Sequence, residues 1–115
     1  MAAKQPQFKL VFFVPPSQAT ECKDAVFLTG AGTDTTGKYS MTCFESRGRG
    51  QFKPNDDLAP TLGLLGQVQE VEELRIEIPC IGRDVVRKAV KALRQAHPYE
   101  EVAYEVYEVH QLEAL

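Results

Sequence analysis

The sequence of 115 residues has no tryptophan, only two histidines and only three cysteines. The cysteines (Cys22, Cys43 and Cys80) are odd in number and form no CxxC pair, which argues against a disulfide framework and indicates reduced thiols. No stretch approaches the roughly 18 apolar residues of a membrane span, and the N-terminal segment has no apolar signal core. These absences predict a cytoplasmic protein with no membrane partner.

An excess of positive charge is also absent. The chain carries 13 lysines and arginines against 16 aspartates and glutamates, for a formal net charge of −3. Such a balance supplies no general attraction to nucleic acid or to an anionic membrane surface, so nucleic-acid binding is not expected. A hydrophobic content of 43% over this length predicts one domain, residues 1–115, with a single core.

What the sequence does contain is an ordered series of strand and helix patterns. Strands are indicated by alternating or β-branched apolar residues and helices by apolar residues at a spacing of 3.6. The predicted order is strand 8–14, helix 17–29, strand 39–45, strand 73–78 closed by Pro79, helix from Gly82 to before Pro98, and strand 101–109. Glycine, proline and Asn-Asp residues predict an extended hairpin connection over 46–73.

The resulting βαββαβ order predicts an α+β, ferredoxin-like fold, with a core over about 8–109 and two helices on one face of an antiparallel sheet. Apolar residues also lie on the opposite face of the first and last strands, namely Val11, Phe13, Ala103, Tyr107 and Val109. A single chain would leave this second apolar set in water. We therefore expect a homo-oligomer in which another subunit covers it.

Residues 32–39, GTDTTGKY, come within one residue of the phosphate-loop pattern. Tyr39 stands where that pattern requires a serine or threonine hydroxyl. The segment also leaves a predicted helix and enters a strand, whereas a phosphate loop leads into a helix N-terminus. An ordinary loop is therefore favoured over a nucleotide site.

Three basic residues, Arg47, Arg49 and Lys53, accompany a glycine-rich segment that also contains Phe52. Arginines beside an aromatic ring can hold a phosphate and stack a base. The acidic composition instead favours a solvated hairpin. A small anionic ligand remains the binding hypothesis for this segment.

The segment 95–109, QAHPYEEVAYEVYEV, concentrates His97, Tyr99 and Glu100 at one predicted helix-to-strand junction. His97 and Glu100 could hold a divalent metal, or His97 could act as a general base. No second histidine is close in sequence, and a histidine at a helix C-terminus can interact with the last carbonyls. A structural role for His97 is favoured, and Tyr99 is expected to pack at the junction. His97 and Glu100 remain candidates for a shared site at a subunit edge, and all three residues are candidate ligand contacts.

Five motifs occur in order along the chain: GAG at 30–32, GKYS at 37–40, GRGQFKP at 48–54, EVEELRIE at 70–77 and HPYEEVAYEVY at 97–107. Together they resemble the domain inserted in YqfO proteins of the Nif-three-like family, over about residues 8–109. The HPYE stretch is also similar to that of CutA proteins, whose ferredoxin-like subunits form trimers, and the fold resembles the PII signalling proteins. The resemblance implies a trimeric ligand-sensing or regulatory module.

Nif-three-like proteins carry a paired-metal site in a separate, histidine-rich domain, and this sequence contains no such motif. The hydrolase-type activity and the GTP cyclohydrolase label of that family are therefore not transferred to it. The leading hypothesis is a non-enzymatic, oligomeric module that binds a small ligand. Its alternatives are a metal-tolerance protein of CutA type that binds a divalent metal and a small enzyme with an intersubunit site.

Overall fold

The computed structural model describes residues 5–55 and 66–115. Its elements are β1 (Gln7–Val14), a 3-10 helix (Pro16–Gln18), α1 (Ala19–Phe27), β2 (Phe44–Phe52), β3 (Gln69–Ile81), α2 (Arg83–Ala96), β4 (Tyr104–Val109) and a last 3-10 helix (Leu112–Ala114). The strands form one sheet in the order β2-β3-β1-β4, with every neighbouring pair antiparallel. The predicted ferredoxin-like α+β fold is confirmed. Among the residues described, no helix has the length and apolar character needed to cross a membrane.

The core lies between the two helices and one face of the central strands. Side chains alternate across a strand, so every second residue of β1 and β3 points toward the helices. The buried residues of this layer are Phe8, Leu10, Phe12, Val14, Leu74, Ile76, Ile78 and Cys80 from the strands, with Ala19, Cys22, Val26, Val86, Ala89 and Leu93 from the helices. Val86, Ala89 and Leu93 follow one another at helical spacing, so they lie on one face of α2, and only that face is buried.

β3 does not end before Pro79, as the sequence predicted, but continues to Ile81. Pro79 lies opposite Lys9 of β1, and its carbonyl accepts a hydrogen bond of 2.7 Å from the Gly32 amide. The nitrogen and carbonyl of a strand residue point to the same side, so the missing N–H of Pro79 faces away from β1. β2 pairs with β3 only as far as Glu77, and the proline therefore removes no ladder hydrogen bond.

The second strand also differs from its prediction. The sequence predicted it over 39–45, followed by an irregular connection over 46–73, but β2 runs from Phe44 to Phe52 and β3 already begins at Gln69. Residues 56–65 of the connection lie outside the described residues. The glycines and charges that indicated a loop belong to a strand whose side chains are mostly exposed, so burial does not impose the usual alternation.

The far end of the β2–β3 hairpin extends beyond the rest of the sheet. β1 pairs with β3 only from Leu74 onward, so residues 48–52 and 69–73 pair with each other alone. We call this two-stranded extension the hairpin arm. The arm contributes to a radius of gyration of 16.0 Å, against roughly 13 Å expected for a compact domain of this length.

We call the sheet face away from the helices the open face. Val11, which the sequence analysis predicted to be exposed to solvent in a single chain, is completely buried there. Its register partner Glu77 accepts salt bridges from Lys9 at 3.3 Å and from Arg75 at 3.1 Å. Val11 is thus already buried within the single chain, so for this residue the argument for a second subunit was wrong. Phe13 is only partly buried.

Candidate ligand cavity on the open face

A cavity of about 560 Å³ lies on the open face, where the hairpin arm approaches the junction between α2 and β4. The side chains that line it are Phe13 from β1, Phe52 from β2, Val71, Glu73 and Arg75 from β3, and Tyr99, Glu101 and Ala103 from the junction. Ser46, Gly48 and Gly50 form its wall along β2. The cavity therefore combines an apolar lining with a small number of charged groups, as ligand sites commonly do.

His97 fixes the junction beside this cavity. The residue is 7% exposed, its Nδ1 accepts a hydrogen bond of 3.1 Å from the Tyr99 amide, and its Nε2–H therefore donates to the Phe13 carbonyl at 2.7 Å. Burial lowers the pKa of His97 below its ordinary value, although the Phe13 carbonyl acts in the opposite direction. The histidine joins the end of α2 to the end of β1, rather than capping carbonyls of its own helix as predicted.

Tyr99 is positioned by that histidine. The two rings meet edge to face, with centroids 4.9 Å apart and an interplanar angle of 61°. Tyr99 packs at the junction and also lines the cavity. Burial raises the pKa of its phenol, and the negative charge of Glu73 raises it further, which indicates that the two side chains face the same space.

Glu73 is a site residue that the sequence interpretation missed. No acidic residue of this strand was among the candidates, yet the half-buried carboxylate of Glu73 lines the cavity and burial raises its pKa. The carboxylate lies directly against Gly50, where a Cβ would overlap it. The missed signal was the alternation, which places Glu73 on the opposite face of β3 from Glu70 and Glu72.

The three basic candidates do not direct their charges into the cavity. Arg47 and Arg49 lie at its wall, but strand alternation directs their side chains to the opposite face of the hairpin. There Arg47 pairs with Glu72, and Arg49 pairs with Glu70 at 3.3 Å. Lys53 is exposed beyond the end of β2 and is not part of the lining. The anionic ligand predicted from these residues stays a prediction.

Glu100 and His97 are not brought together either. Glu100 lines a separate groove against α2, where its neighbours include Arg87, Lys91 and Arg94. Both ring nitrogens of His97 already have backbone partners. Within residues 5–55 and 66–115, no group of three or more His, Cys, Asp or Glu side chains could hold a metal ion. A divalent-metal site that His97 and Glu100 complete across a subunit boundary stays a prediction.

The segment 32–39 connects α1 to β2 and does not precede a helix. Asp34 organises it: its carboxylate accepts a hydrogen bond from the Thr36 hydroxyl at 2.8 Å, and its backbone amide donates to the Tyr39 carbonyl at 3.1 Å. Lys38 is exposed. This is a turn closed by its own side chains, without the helix N-terminus that a phosphate loop places at its ligand.

The fold defines the class of protein. CutA1 from Ehrlichia chaffeensis has a TM-score of 0.68 at 12% identity, covering 95% of this chain and 86% of its own. GlnK from Bacillus subtilis, solved as an ATP complex, has a TM-score of 0.59 at 16% identity, covering 91% of this chain and 85% of its own. At such low identity the likeness concerns the fold alone. The chain has a CutA-like and PII-like fold.

A more specific similarity lies within that class. A Bacillus cereus protein related to NIF3 has a TM-score of 0.80 at 40% identity, covering 96% of this chain and 27% of its own. The GTP cyclohydrolase 1 type 2 homolog of Halalkalibacterium halodurans is 40% identical over 100 residues, covering 87% of this chain and 26% of its own. No protein-family model matches. The predicted resemblance is confirmed: this is a NIF3-like, CutA-like domain that spans about a quarter of the length of these relatives.

Proposed function

We propose that the chain is a non-enzymatic, homo-oligomeric module that binds a small ligand in the cavity on the open face. The observation that carries this proposal is the convergence of Tyr99, Glu73 and Arg75 on one cavity of about 560 Å³. That volume falls within the roughly 300–1,000 Å³ of small-molecule sites. The polar groups are few and come from separate elements, as expected of a site that orients a ligand.

Binding is favoured over catalysis because, among the described residues, neither the histidine beside the cavity nor the two buried cysteines is free to act as a base or a nucleophile. Both nitrogens of His97 are engaged with backbone groups. Cys22 and Cys80 are buried in the core, and burial raises the pKa of each thiol to about 11. A thiol in such surroundings is a poor nucleophile.

The homo-oligomer is supported by surfaces that a single chain leaves unpaired. β2 and β4 are both edge strands, and the hairpin arm is a two-stranded ribbon, which is marginally stable by itself. Tyr104 and Val106 of β4 remain 36% and 41% exposed beside α2. We propose a trimer, as the CutA resemblance implies. Light scattering at micromolar concentration should give a multiple of 12.8 kDa, and the mass of a single chain would exclude assembly.

The cavity itself can be blocked without disturbing the strand. A Cβ at Gly48 would meet no atom within 4 Å, so Gly48→Phe places an aromatic ring in the cavity, and Gly48→Ala is the matched control. Native mass spectrometry of the purified oligomers should find a small molecule retained by the wild type and by the alanine variant, but not by the phenylalanine variant. Retention by all three would place the ligand elsewhere, and a wild-type protein without a ligand would count against the proposal.

A further inference from the structure

We infer that the cavity on the open face recognises a small organic cation, an amine with an apolar body, whose positive charge lies against Glu73. The inference rests on the proposed ligand-binding function and names the chemical class of the ligand. It departs from the anionic ligand that the arginines of β2 suggested.

The first argument is the balance of charge around the cavity. Arg47 pairs with Glu72 and Arg49 with Glu70 on the opposite face of the hairpin, and Arg75 shares Glu77 with Lys9. Glu73 and Glu101 also line the cavity, and among the described residues neither has a salt-bridge partner. The lining therefore holds two carboxylates without an ion-pair partner, and these favour a ligand of positive charge.

The second argument is the environment of Glu73. Its carboxylate is half buried beside Val71 and Gly50, and a carboxylate without an ion-pair partner loses hydration there at a cost. A bound ammonium group would offset that cost with a charge-assisted hydrogen bond. The glycine allows this placement, because any side chain at position 50 would overlap the carboxylate.

The third argument is the aromatic lining. Phe13, Phe52 and Tyr99 all contribute to the cavity, and the face of an aromatic ring attracts a cation. The Arg75 guanidinium already lies 5.6 Å from the centroid of the Phe13 ring, so Phe52 and Tyr99 are the rings that remain for a ligand cation. The same rings would cover the apolar body of an amine, since the lining offers more hydrocarbon than polar surface.

The test uses two probes of matched shape and opposite charge, phenethylamine and hydrocinnamate, with the full chain at neutral pH. Titrations followed by amide chemical shifts should show phenethylamine binding at least about tenfold more tightly, with shifts at Glu73, Tyr99 and Val71. Glu73→Gln should weaken the amine at least about tenfold. Gly50→Ala should do the same without changing any charge, because it displaces the carboxylate. Glu108→Gln on β4, which removes one charge far from the lining, is the control and should bind as the wild type does.

The outcomes separate this inference from the proposed function. Preference for hydrocinnamate, or equal affinity for both probes, overturns the cationic class but leaves a ligand cavity in place. Amine binding that survives Glu73→Gln and Gly50→Ala also overturns it, because the charge would then be held elsewhere. If neither probe binds and the native oligomer retains no small molecule, both the inference and the proposed function fall.

Discussion

The two halves of β3 lie in different environments. From Leu74 to Ile81 the strand pairs with β1, and every second side chain is buried under the helices. From Gln69 to Glu73 it pairs only with β2, and no side chain is fully buried. One strand therefore belongs to the core over one half and to the candidate site over the other.

The difference teaches where stability and binding reside in this molecule. Burial of large apolar side chains supplies most of the free energy of folding, and it is concentrated in the half covered by helices. The hairpin arm carries Gly48 and Gly50, which weaken a strand because they add no packing. These glycines instead leave space for the Glu73 carboxylate and for a ligand. The residues that open the cavity are therefore the same ones that make the arm less stable.

The largest expected effect compares two phenylalanines in neighbouring parts of the sheet. Phe12 of β1 is completely buried, whereas Phe52 at the end of the arm is partly exposed and lines the cavity. Phe12→Ala should lower the free energy of unfolding by about 3–5 kcal/mol because it leaves a cavity in the core. Phe52→Ala should lower it by less than about 1 kcal/mol. Urea denaturation of both variants measures the contrast.

Equal losses in the two variants would break the comparison. They would mean that Phe52 is as well buried as the core in the assembled protein, most directly by a neighbouring subunit. Repeating the Phe52→Ala measurement over a range of protein concentrations distinguishes that case, because burial by a partner makes the loss depend on concentration.

A smaller effect is expected at the junction, where His97 and Glu100 are three residues apart and have different surroundings. His97→Ala removes the acceptor of the Tyr99 amide and the donor to the Phe13 carbonyl, and should cost about 1–3 kcal/mol of unfolding free energy. Glu100→Ala should change it by less than about 0.5 kcal/mol, because its side chain is exposed. Thermal melts of the two variants make the measurement. A larger loss for Glu100→Ala would reverse the roles assigned here.

Much of the helix-covered half follows from sequence pattern alone. A run of β-branched and aromatic residues located β1 between 8 and 14, and helical spacing located α2, because burial of apolar side chains imposes both patterns. Pro98 marked the end of α2, because a proline disfavours the helical conformation of the residue before it. The family resemblance reinforced this order. The same reasoning failed for β2, since a strand with two exposed faces has no apolar alternation and its glycines mimic a loop.

The candidate site was harder to predict because it depends on contacts between distant parts of the chain. The partner of His97 is the carbonyl of Phe13, 84 residues away, and no local spacing indicates it. Tyr99 was identified as a candidate, but Glu73, which lines the same cavity, was not. Composition describes the charge of a segment, whereas the register of β2 on β3 decides which face each charge occupies.

The smallest effect expected is the pH dependence of stability that His97 contributes at the buried junction. Protonating His97 would place an Nδ1–H against the Tyr99 amide, and burial already lowers its pKa in the folded protein. The unfolded chain therefore takes up a proton near pH 6.5 that the folded chain excludes, so stability is lost as the pH falls below about 6.5. The raised pKa of Glu73 acts in the opposite direction, because the folded state binds that proton more readily.

Comparing wild type with His97→Gln between about pH 5 and 7.5 isolates the contribution of the histidine, since Glu73 is common to both proteins. Urea unfolding should show that the difference in unfolding free energy between the wild type and His97→Gln shrinks as the pH falls. The decrease should be about 1.4 kcal/mol for each unit that separates the folded and unfolded pKa values of His97. If the unfolding free energies of the two proteins change in parallel with pH, His97 titrates equally in the folded and unfolded states and does not hold the junction as a neutral ring.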